Sequence, residues 1–229
     1  GAPSLVASLT VGLIDSGVDA AIAANLAASR AFRLAADGGV AALAPEADRL
    51  GHGAALAGIL VRRHPGIRLL SAQVFADTLS CSARQVAAAQ DWLVLHEARL
   101  VNMSFGLRRD REVLRQACAR AQAAGLILIA AAPARGAPVY PASYPGVIRA
   151  TGDARCAMDE ISCLATAQAD FGACVRSDDG TVAGASVGCA YLSAFAAAFL
   201  ARNPTASVVE LRDWLAEWAT YQGPERRTR

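Results

Sequence analysis

The chain contains no lysine, because all 22 of its basic residues are arginine. Catalysis by a serine–lysine dyad, Schiff-base chemistry on lysine and phosphate binding by the lysine of a glycine-rich loop are therefore excluded. Histidine is scarce, with three residues, and no Cys-x-x-Cys pair occurs, which argues against a zinc site. No acidic loop of the calcium-binding type is present either. The sequence therefore predicts no metal and no cofactor.

Excess charge and long apolar runs are absent as well. The formal net charge is +2, which is too small to indicate a nucleic acid or an anionic membrane as the partner. No apolar stretch is long and uninterrupted enough to indicate a membrane span. With 229 residues, 54% of them hydrophobic, the chain has the size of one α/β domain. We predict that domain over residues 1–222 and a polar, basic tail over 223–229.

Cysteine is abundant for a cytosolic enzyme of this size. The six residues are Cys81, Cys118, Cys156, Cys163, Cys174 and Cys189. Three of them, at positions 156, 163 and 174, are close together in a loop-rich region. One disulfide would form there in an exported protein, and free thiols would remain in a cytosolic one. The cysteine count favours a secreted or periplasmic location without identifying the compartment.

Apolar strands alternate with helical patterns along the chain, which indicates parallel βαβ units. Strands are predicted at residues 9–14, 68–75, 99–104, 126–132 and 147–151, and helices at 51–63, 82–98, 110–124, 184–202 and 206–220. The alanine-rich residues 19–30 fit either a short helix or an ordered loop. The predicted fold is α/β, with a doubly wound, mostly parallel sheet and helices on both faces.

Three short segments place candidate catalytic side chains at the edges of apolar elements. They are residues 11–17 with Asp15, residues 51–58 with His52, and residues 184–188 with Ser186. In a parallel sheet, the carboxyl end of a strand and the start of the following helix lie at the same edge. These three side chains are therefore expected to converge. A nucleophile, a base and a carboxylate that orients the base are the parts of a serine hydrolase.

Each of these residues taken alone has a structural explanation. Asp15 could belong to a turn, His52 could be a structural histidine, and Ser186 could cap a helix. The joint pattern is more specific. Residues 184–188 also fit the nucleophile elbow of α/β-hydrolases, but that fold requires the order serine, acid, histidine. All three histidines of this chain precede Ser186, so the elbow is excluded.

The order of Asp15, His52 and Ser186, with their flanking glycines, resembles the subtilisin-like serine proteases, or subtilases. The run Tyr-Pro-Ala-Ser-Tyr-Pro-Gly-Val-Ile at residues 140–148 is similar to the Tyr-Pro-x-x-Tyr-Pro-x-Val-Ile pattern of that family. It implies a cis peptide at Tyr140–Pro141. The resemblance extends over nearly the whole chain and implies a subtilisin-like fold. It also implies that Ser186 attacks the scissile carbonyl, His52 transfers the proton and Asp15 orients His52.

The same resemblance implies which residues contact the substrate. An extended peptide would pair with the strand formed by Ser104, Phe105 and Gly106. One wall of the pocket for the residue before the cut would be formed by Ala130, Ala131 and Ala132. Val139 would lie near the floor of that pocket. A valine at the floor predicts a shallow pocket that prefers small side chains.

The oxyanion region departs from the family pattern. After the strand at residues 126–132 the family has Gly-Asn, whose asparagine side chain donates to the oxyanion, whereas this chain has Pro133 and Ala134. Alanine has no side-chain donor, and proline has no backbone N–H. The backbone N–H of Ser186, at the start of its predicted helix, remains as a donor.

Three functions are compatible with this sequence. The first is a serine endopeptidase that uses Asp15, His52 and Ser186 at a low intrinsic rate or with narrow specificity, because Ala134 cannot supply the oxyanion donor. The second is a catalytically impaired module that binds a peptide or a regulatory partner in the same groove. The third transfers an acyl group to an amine. The expected partner is a peptide or protein substrate, and an upstream propeptide or a separate partner protein stays an open alternative.

Overall fold

The computed structural model describes residues 8–226, which form one ten-stranded sheet with helices on both faces. The strands are β1 Thr10–Asp15, β2 Leu26–Leu34, β3 Val40–Leu43, β4 Arg68–Gln73, β5 Leu100–Met103, β6 Ile127–Ala131, β7 Ile148–Gly152, β8 Ile161–Cys163, β9 Phe171–Ala173 and β10 Tyr221–Gln222. The helices are α1 His52–Arg63, α2 Ala83–Leu95, α3 Glu112–Ala123, α4 Ala185–Arg202 and α5 Val208–Trp218, with a short 3₁₀ turn at Ala20–Ile22.

The strand order in the sheet is β10-β8-β9-β7-β6-β5-β1-β4-β2-β3. Two neighbouring pairs, β2 with β3 and β8 with β9, are antiparallel, and the other pairs are parallel. The central position of β1 between β4 and β5 places its carboxyl end in the middle of one sheet edge. Ligand sites of parallel sheets occur at such an edge.

Alternation of side chains along the strands builds two apolar cores, one on each face of the sheet. In β1, Val11 and Leu13 pack with α1, α4 and α5, whereas Ile14 packs with α2 and α3. Gly12 faces α2 at close range, since a Cβ at this position would lie 2.7 Å from Leu93. The two cores and the strand order confirm the predicted doubly wound, mostly parallel sheet with helices on both faces.

Every strand and helix predicted from the sequence pattern is present, with ends shifted by a few residues. Before α2, Ser82 forms a full capping box, in which the Ser82 hydroxyl accepts from the Gln85 N–H and the Gln85 side chain accepts from the Ser82 N–H. Trp214 and Trp218 of α5 stack with ring centroids 5.4 Å apart.

The expectation of a short helix or an ordered loop over residues 19–30 is only partly correct, and five strands were not predicted. The short turn at Ala20–Ile22 is followed by β2, which pairs with β3 in a hairpin at one edge of the sheet. Alanine-rich segments give little strand signal, because alanine is depleted in strands. The strands β8, β9 and β10 have two or three residues each, which is too short for a period-two pattern to be recognised.

Helix α4 is long and apolar enough, by length and composition, to cross a membrane, and among residues 8–226 it is alone in this. About 67% of it is buried inside the fold, as is usual for the central helix of a doubly wound domain. All six cysteines are free thiols, so the structure contains no disulfide among Cys156, Cys163 and Cys174.

The predicted domain at 1–222 and the predicted tail at 223–229 both extend beyond the described part of the chain. Residues 1–7 and 227–229 lie outside it. Residues 223–226 form neither helix nor strand, and the Gly223 carbonyl accepts a hydrogen bond from Arg155 at 2.8 Å.

Candidate active site

The structure brings Asp15 and His52 into direct contact at the carboxyl edge of the sheet. Asp15 is the last residue of β1 and His52 is the first residue of α1. The distance from His52 Nδ1 to Asp15 Oδ1 is 2.7 Å. Asp15 is 1% exposed and His52 is 9% exposed, so this hydrogen bond is shielded from water, and a shielded charge pair interacts more strongly than an exposed one.

The residues around Asp15 and His52 explain why glycines flank them. Ser16 N–H donates to Asp15 Oδ1, and Ser16 Oγ accepts from the Gly53 N–H, both at 2.8 Å. A Cβ on Gly53 would overlap the carbonyl oxygen of Gly17. Gly17 itself has φ +111°, a conformation that favours glycine. These contacts dock the first turn of α1 directly onto the loop that follows β1.

Asp48 supports His52 from outside the predicted motif. Its carboxylate accepts from the N–H groups of Leu50, Gly51 and Ala54 at 3.1, 2.9 and 2.9 Å. It therefore satisfies free donors at the start of α1 and adds negative charge where the helix dipole is positive. Sequence reasoning missed this residue. The signal that could have found it is an acidic residue a few positions before a helix whose own N-cap, Gly51, has no side chain.

Gln73, at the end of β4, is a second supporting residue that the sequence analysis missed. It is 2% exposed, and its Nε2 donates to the Ser16 carbonyl at 2.8 Å. Its Oε1 accepts from the Glu46 N–H at 3.1 Å. Gln73 thus ties the loop after β1 to the segment that leads to Asp48. A glutamine in a strand carries no sequence pattern that would have revealed this.

The pKa of His52 is raised above its ordinary value. Burial lowers it, because a buried imidazolium loses hydration, but the hydrogen bond and the negative charge of Asp15 outweigh burial. The charge of Asp48 adds to the rise. A histidine general base works in its neutral form, so a raised pKa moves the acid limb of a rate profile to higher pH.

Replacing Asp48 with asparagine is expected to shift the acid limb of kcat/KM to lower pH. Asparagine keeps one acceptor oxygen, for the N–H groups of Leu50 and Gly51, loses the acceptor for the Ala54 N–H, and removes the charge that raises the pKa of His52. The measurement is kcat/KM against pH on a fluorogenic peptide. Asp213→Asn removes an equal charge on exposed α5 and is the matched control. An unmoved limb in Asp48→Asn, or an equal shift in the control, would contradict the assignment.

Ser186 lies in the first turn of α4, and its hydroxyl donates to the Ser104 carbonyl at 2.9 Å. In the described part of the chain, Ser186 makes no hydrogen bond with His52. Helix α4 packs closely against β7, because a Cβ on Gly188 would overlap the Thr151 carbonyl oxygen. The structure therefore pairs the carboxylate with the base and leaves the serine hydroxyl bonded to the neighbouring strand.

The residues predicted to pair with substrate directly follow β5. Ser104 is buried, while Gly106 is exposed. Leu107 forms an antiparallel bridge with Tyr140, with N–H to carbonyl distances of 2.6 and 2.8 Å. A Cβ on Gly106 would lie 2.8 Å from Val139 Cβ, so Val139 closes one side of this segment. The ring of Phe105 packs edge-on against Phe75 at 5.2 Å.

The three alanines predicted to line the pocket wall are at the carboxyl end of β6. Ala130, Ala131 and Ala132 are 0%, 6% and 3% exposed. Ala130 and Ala132 belong to the core beneath α2 and α3, and Ala131 belongs to the opposite core. Tyr140–Pro141 is a cis peptide, as the family resemblance implied.

The segment predicted to carry the oxyanion donor has alanine at position 134. Ala134 is exposed and, together with Arg135, lines a cavity of about 340 Å³ beside Thr151 and Gly152. At the start of α4, the first intrahelical hydrogen bond runs from Gly188 N–H to the Gly184 carbonyl at 3.0 Å. The N–H groups before that bond have no intrahelical partner, and free N–H groups at a helix start favour a nearby negative charge. Within residues 8–226, no group of three or more metal-ligating side chains is found.

The sequence profile of the Subtilase family matches residues 7–229, and the chain therefore belongs to this family of serine proteases. Subtilisin DY from Bacillus licheniformis is 25% identical over 243 aligned positions, which cover 95% of this chain and 85% of that protein. The subtilisin-like protease het-Q2 of Podospora anserina is 32% identical over 143 positions, 58% of this chain and 37% of that protein. The minor extracellular protease Epr of Bacillus subtilis (strain 168) is 32% identical over 113 positions, 44% and 18% of the two chains. The chain thus spans well under half of the length of the last two relatives.

Solved structures with the same fold include sphericase, with a TM-score of 0.69 and 19% identity over 93% of this chain and 86% of that one. A cold-adapted subtilisin-like serine proteinase superposes with a TM-score of 0.70 and 18% identity, over 93% and 84%. At these identities the structures establish the fold alone. Family membership, in turn, supports a serine protease type of function.

Proposed function

We propose that this chain is a serine endopeptidase in which Ser186 is the nucleophile, His52 the general base and Asp15 the residue that orients the base. The observation that carries the proposal is the buried hydrogen bond of 2.7 Å between His52 and Asp15. It leaves Nε2 of His52 as the ring nitrogen that accepts a proton. The other oxygen of Asp15, Oδ2, is buried and makes no hydrogen bond within residues 8–226. Because no donor among these residues contacts Oδ2, the positive charge that balances the Asp15 carboxylate is the imidazolium of His52, which forms during the reaction.

The reaction begins with a rotation of the Ser186 hydroxyl from the Ser104 carbonyl to His52. An extended peptide paired with residues 104–106 directs backbone N–H groups at this strand. An N–H aimed at the Ser104 oxygen competes with the Ser186 hydroxyl and favours the rotamer that faces His52. The Ser186 oxygen then attacks the scissile carbonyl as its proton passes to His52. His52 returns that proton to the leaving amine, and water completes hydrolysis of the acyl-enzyme by the same route.

The proposed endopeptidase has a low intrinsic rate. Negative charge develops on the substrate oxygen in the transition state, and the donors for it are the free N–H groups at the start of α4. Pro133 and Ala134 add no donor to them. Loss of one side-chain donor to the oxyanion lowers turnover by about 10²- to 10³-fold in a serine protease. Such a rate is sufficient for a dedicated cleavage of one bound substrate but not for general digestion.

Replacing Val139 with glycine is expected to raise kcat/KM about tenfold for peptides with leucine or phenylalanine before the cut, relative to alanine. The reason is that Val139 packs beside Gly106 and fills space at the proposed pocket. Val139→Ile is the matched control and is expected to shift the preference further toward alanine. The measurement is a series of fluorogenic peptides that differ only at this position. Identical preferences in all three proteins would refute the assignment of Val139.

Incubation with a proteome-derived peptide library, with cut sites mapped by mass spectrometry, tests the proposed function directly. The wild-type protein is expected to produce one set of cut sites, with small side chains enriched before the cut. His52→Ala is expected to produce none of them. His96→Ala, which changes an exposed histidine just beyond α2, is the control and is expected to cut as the wild type does. Cleavage that survives in His52→Ala would refute the triad.

A second candidate function is a catalytically impaired module that binds a peptide or a regulatory partner in the same groove. Two observations favour this module: Ala134 has no side-chain donor, and the Ser186 hydroxyl donates its hydrogen bond to the Ser104 carbonyl instead of to His52. It requires only that residues 104–106 accept a peptide strand, since the backbone of Leu107 is already paired with Tyr140. Peptides enriched by the wild-type protein and by Ser186→Ala to the same extent, with no cut sites in either, would support this module over the enzyme.

The proposed partner is a peptide or protein substrate. The name of one relative, the minor extracellular protease Epr, describes that protein as extracellular. On this ground we propose a secreted or periplasmic location, to which the six free thiols add no support. Fractionation of the source cells, followed by immunodetection of the chain, checks it.

A further inference from the structure

A series of buried polar side chains connects the middle of the sheet to the proposed nucleophile. Asn102 in β5 and Ser193 in α4 are fully buried, and Ser104 is 2% exposed. Buried polar groups cost stability unless each one has a hydrogen-bond partner. The partners of these side chains therefore indicate what the series does.

The hydrogen bonds of this series run in one direction. Ser193 Oγ donates to Asn102 Oδ1 at 2.7 Å, and Cys189 Sγ donates to the same oxygen at 3.4 Å. Since that oxygen accepts, the amide nitrogen of Asn102 faces Ser104 and donates to its Oγ at 2.9 Å. The Ser104 hydroxyl in turn donates to the Ser186 carbonyl at 2.8 Å. The last acceptor of the series is thus the main chain of the nucleophile.

We propose that Asn102 and Ser104 are positioning residues for Ser186. They hold the main chain of Ser186 against β5 and thereby fix the first turn of α4, from which the serine hydroxyl and its oxyanion-binding N–H both project. The inference rests on the proposed function, because it concerns the nucleophile of that reaction. Asn102 acts through Ser104, since its amide touches the Ser104 hydroxyl and makes no contact with a reacting group.

Ser104 and Asn102 have different roles because they occupy different positions in the series of hydrogen bonds. Ser104 contacts the nucleophile twice, with its hydroxyl on the Ser186 carbonyl and with its carbonyl on the Ser186 hydroxyl. Asn102 decides the direction in which the Ser104 hydroxyl points. Without the amide donor, that hydroxyl is free to rotate toward the Asn102 site and release the Ser186 carbonyl. A nucleophile whose main chain moves by a fraction of an ångström loses alignment with base and substrate.

The rate at which a fluorophosphonate labels Ser186 tests this proposal on the full chain. Ser104→Ala is expected to slow labelling about tenfold, as for the loss of one buried hydrogen bond. Asn102→Ala is expected to slow it by a similar factor, and the double variant by no more than either single change, because both act at one contact. Ser71→Ala removes a buried hydroxyl that has no hydrogen-bond partner in the structure, and it is expected to label at the wild-type rate.

Turnover of a fluorogenic peptide separates positioning from a merely structural role. The variants at Asn102 and Ser104 are expected to lower kcat with little change in KM. The acid limb of their pH profile is expected to stay in place, because the pair of His52 and Asp15 is untouched. If Asn102→Ala does not fold, Ser193→Ala replaces it, with an expected slowing of roughly twofold to threefold, since Cys189 still donates to Asn102.

The outcomes distinguish this proposal from the proposed function. A wild-type protein that is labelled at Ser186 while both single variants label at the same rate overturns the positioning role alone. If the double variant is labelled more slowly than either single variant, by the product of the two single decreases in labelling rate, the claim that Asn102 acts through Ser104 is overturned. A folded wild-type protein that is never labelled overturns the proposed function and this inference with it.

Discussion

Replacing Ser186 with alanine is expected to lower the rate of peptide cleavage by about 10³- to 10⁴-fold, to the background level. Removal of the nucleophile from a subtilisin-type triad costs about 10⁶ in turnover. Because Ala134 provides no oxyanion donor, the wild-type rate is itself lower by about 10²–10³. The loss that can be measured above the background is therefore about 10³–10⁴. The measurement is the initial rate on a fluorogenic peptide whose sequence comes from the mapped cut sites.

The variant is also the control for copurifying proteases, since both proteins are prepared in the same way. Ser186 is partly buried, and loss of its hydroxyl removes one hydrogen bond, to Ser104. Its contribution to the free energy of unfolding is about 1 kcal/mol, so the variant is expected to stay folded. A folded Ser186→Ala protein with wild-type cleavage would show that another nucleophile, or another protein, does the cutting.

The double change Pro133→Gly with Ala134→Asn is expected to raise kcat by about 10²- to 10³-fold, with little change in KM. Glycine restores a backbone N–H, and the asparagine amide restores a donor directed at the developing oxyanion. The gain belongs to kcat because the oxyanion carries its charge only in the transition state. The space is available, since Ala134 is exposed beside a cavity of about 340 Å³.

Pro133→Gly with Ala134→Leu is the matched control for this gain. Leucine has nearly the size of asparagine but no donor, so a change caused by loop flexibility alone would occur in both proteins. We expect the leucine variant to turn over peptide at the wild-type rate. Equal rates in the asparagine and leucine variants would mean that the region of Ala134 does not contact the oxyanion. Equal rates would also mean that the missing donor at Ala134 is not the cause of a low intrinsic rate.

The parts of the fold that position the site were predictable because they have strong patterns. The apolar run before Asp15 and the long small-residue helix after Gly184 gave their elements almost at the observed bounds. The topology rule that strand ends and helix starts share one edge was enough to bring Asp15 and His52 together. The hairpin of β2 and β3 escaped prediction because its alanines are weak strand formers, although β2 pairs with β4 and its Arg33 donates to the Gln73 carbonyl.

The supporting residues of the site were not predictable because they act through contacts distant in sequence. Gln73 reaches the Ser16 carbonyl from another strand, and Asn102 in β5 accepts from Ser193 in α4. Neither spacing nor hydropathy encodes such contacts. The hydrogen bond of the Ser186 hydroxyl in the structure could not be predicted either. A motif gives the type of side chain, but the bond from Ser186 to Ser104 depends on a rotamer that only the packed structure specifies.

The central claim is that Asp15, His52 and Ser186 form a working triad, and covalent labelling tests it most directly. The purified protein is treated with a biotinylated fluorophosphonate, and the adduct is located by peptide mass spectrometry. We expect one adduct, on Ser186 in the wild-type protein, and none on Ser186 in His52→Ala. A folded wild-type protein without an adduct, or an adduct on Ser186 that forms equally well in His52→Ala, would contradict the claim.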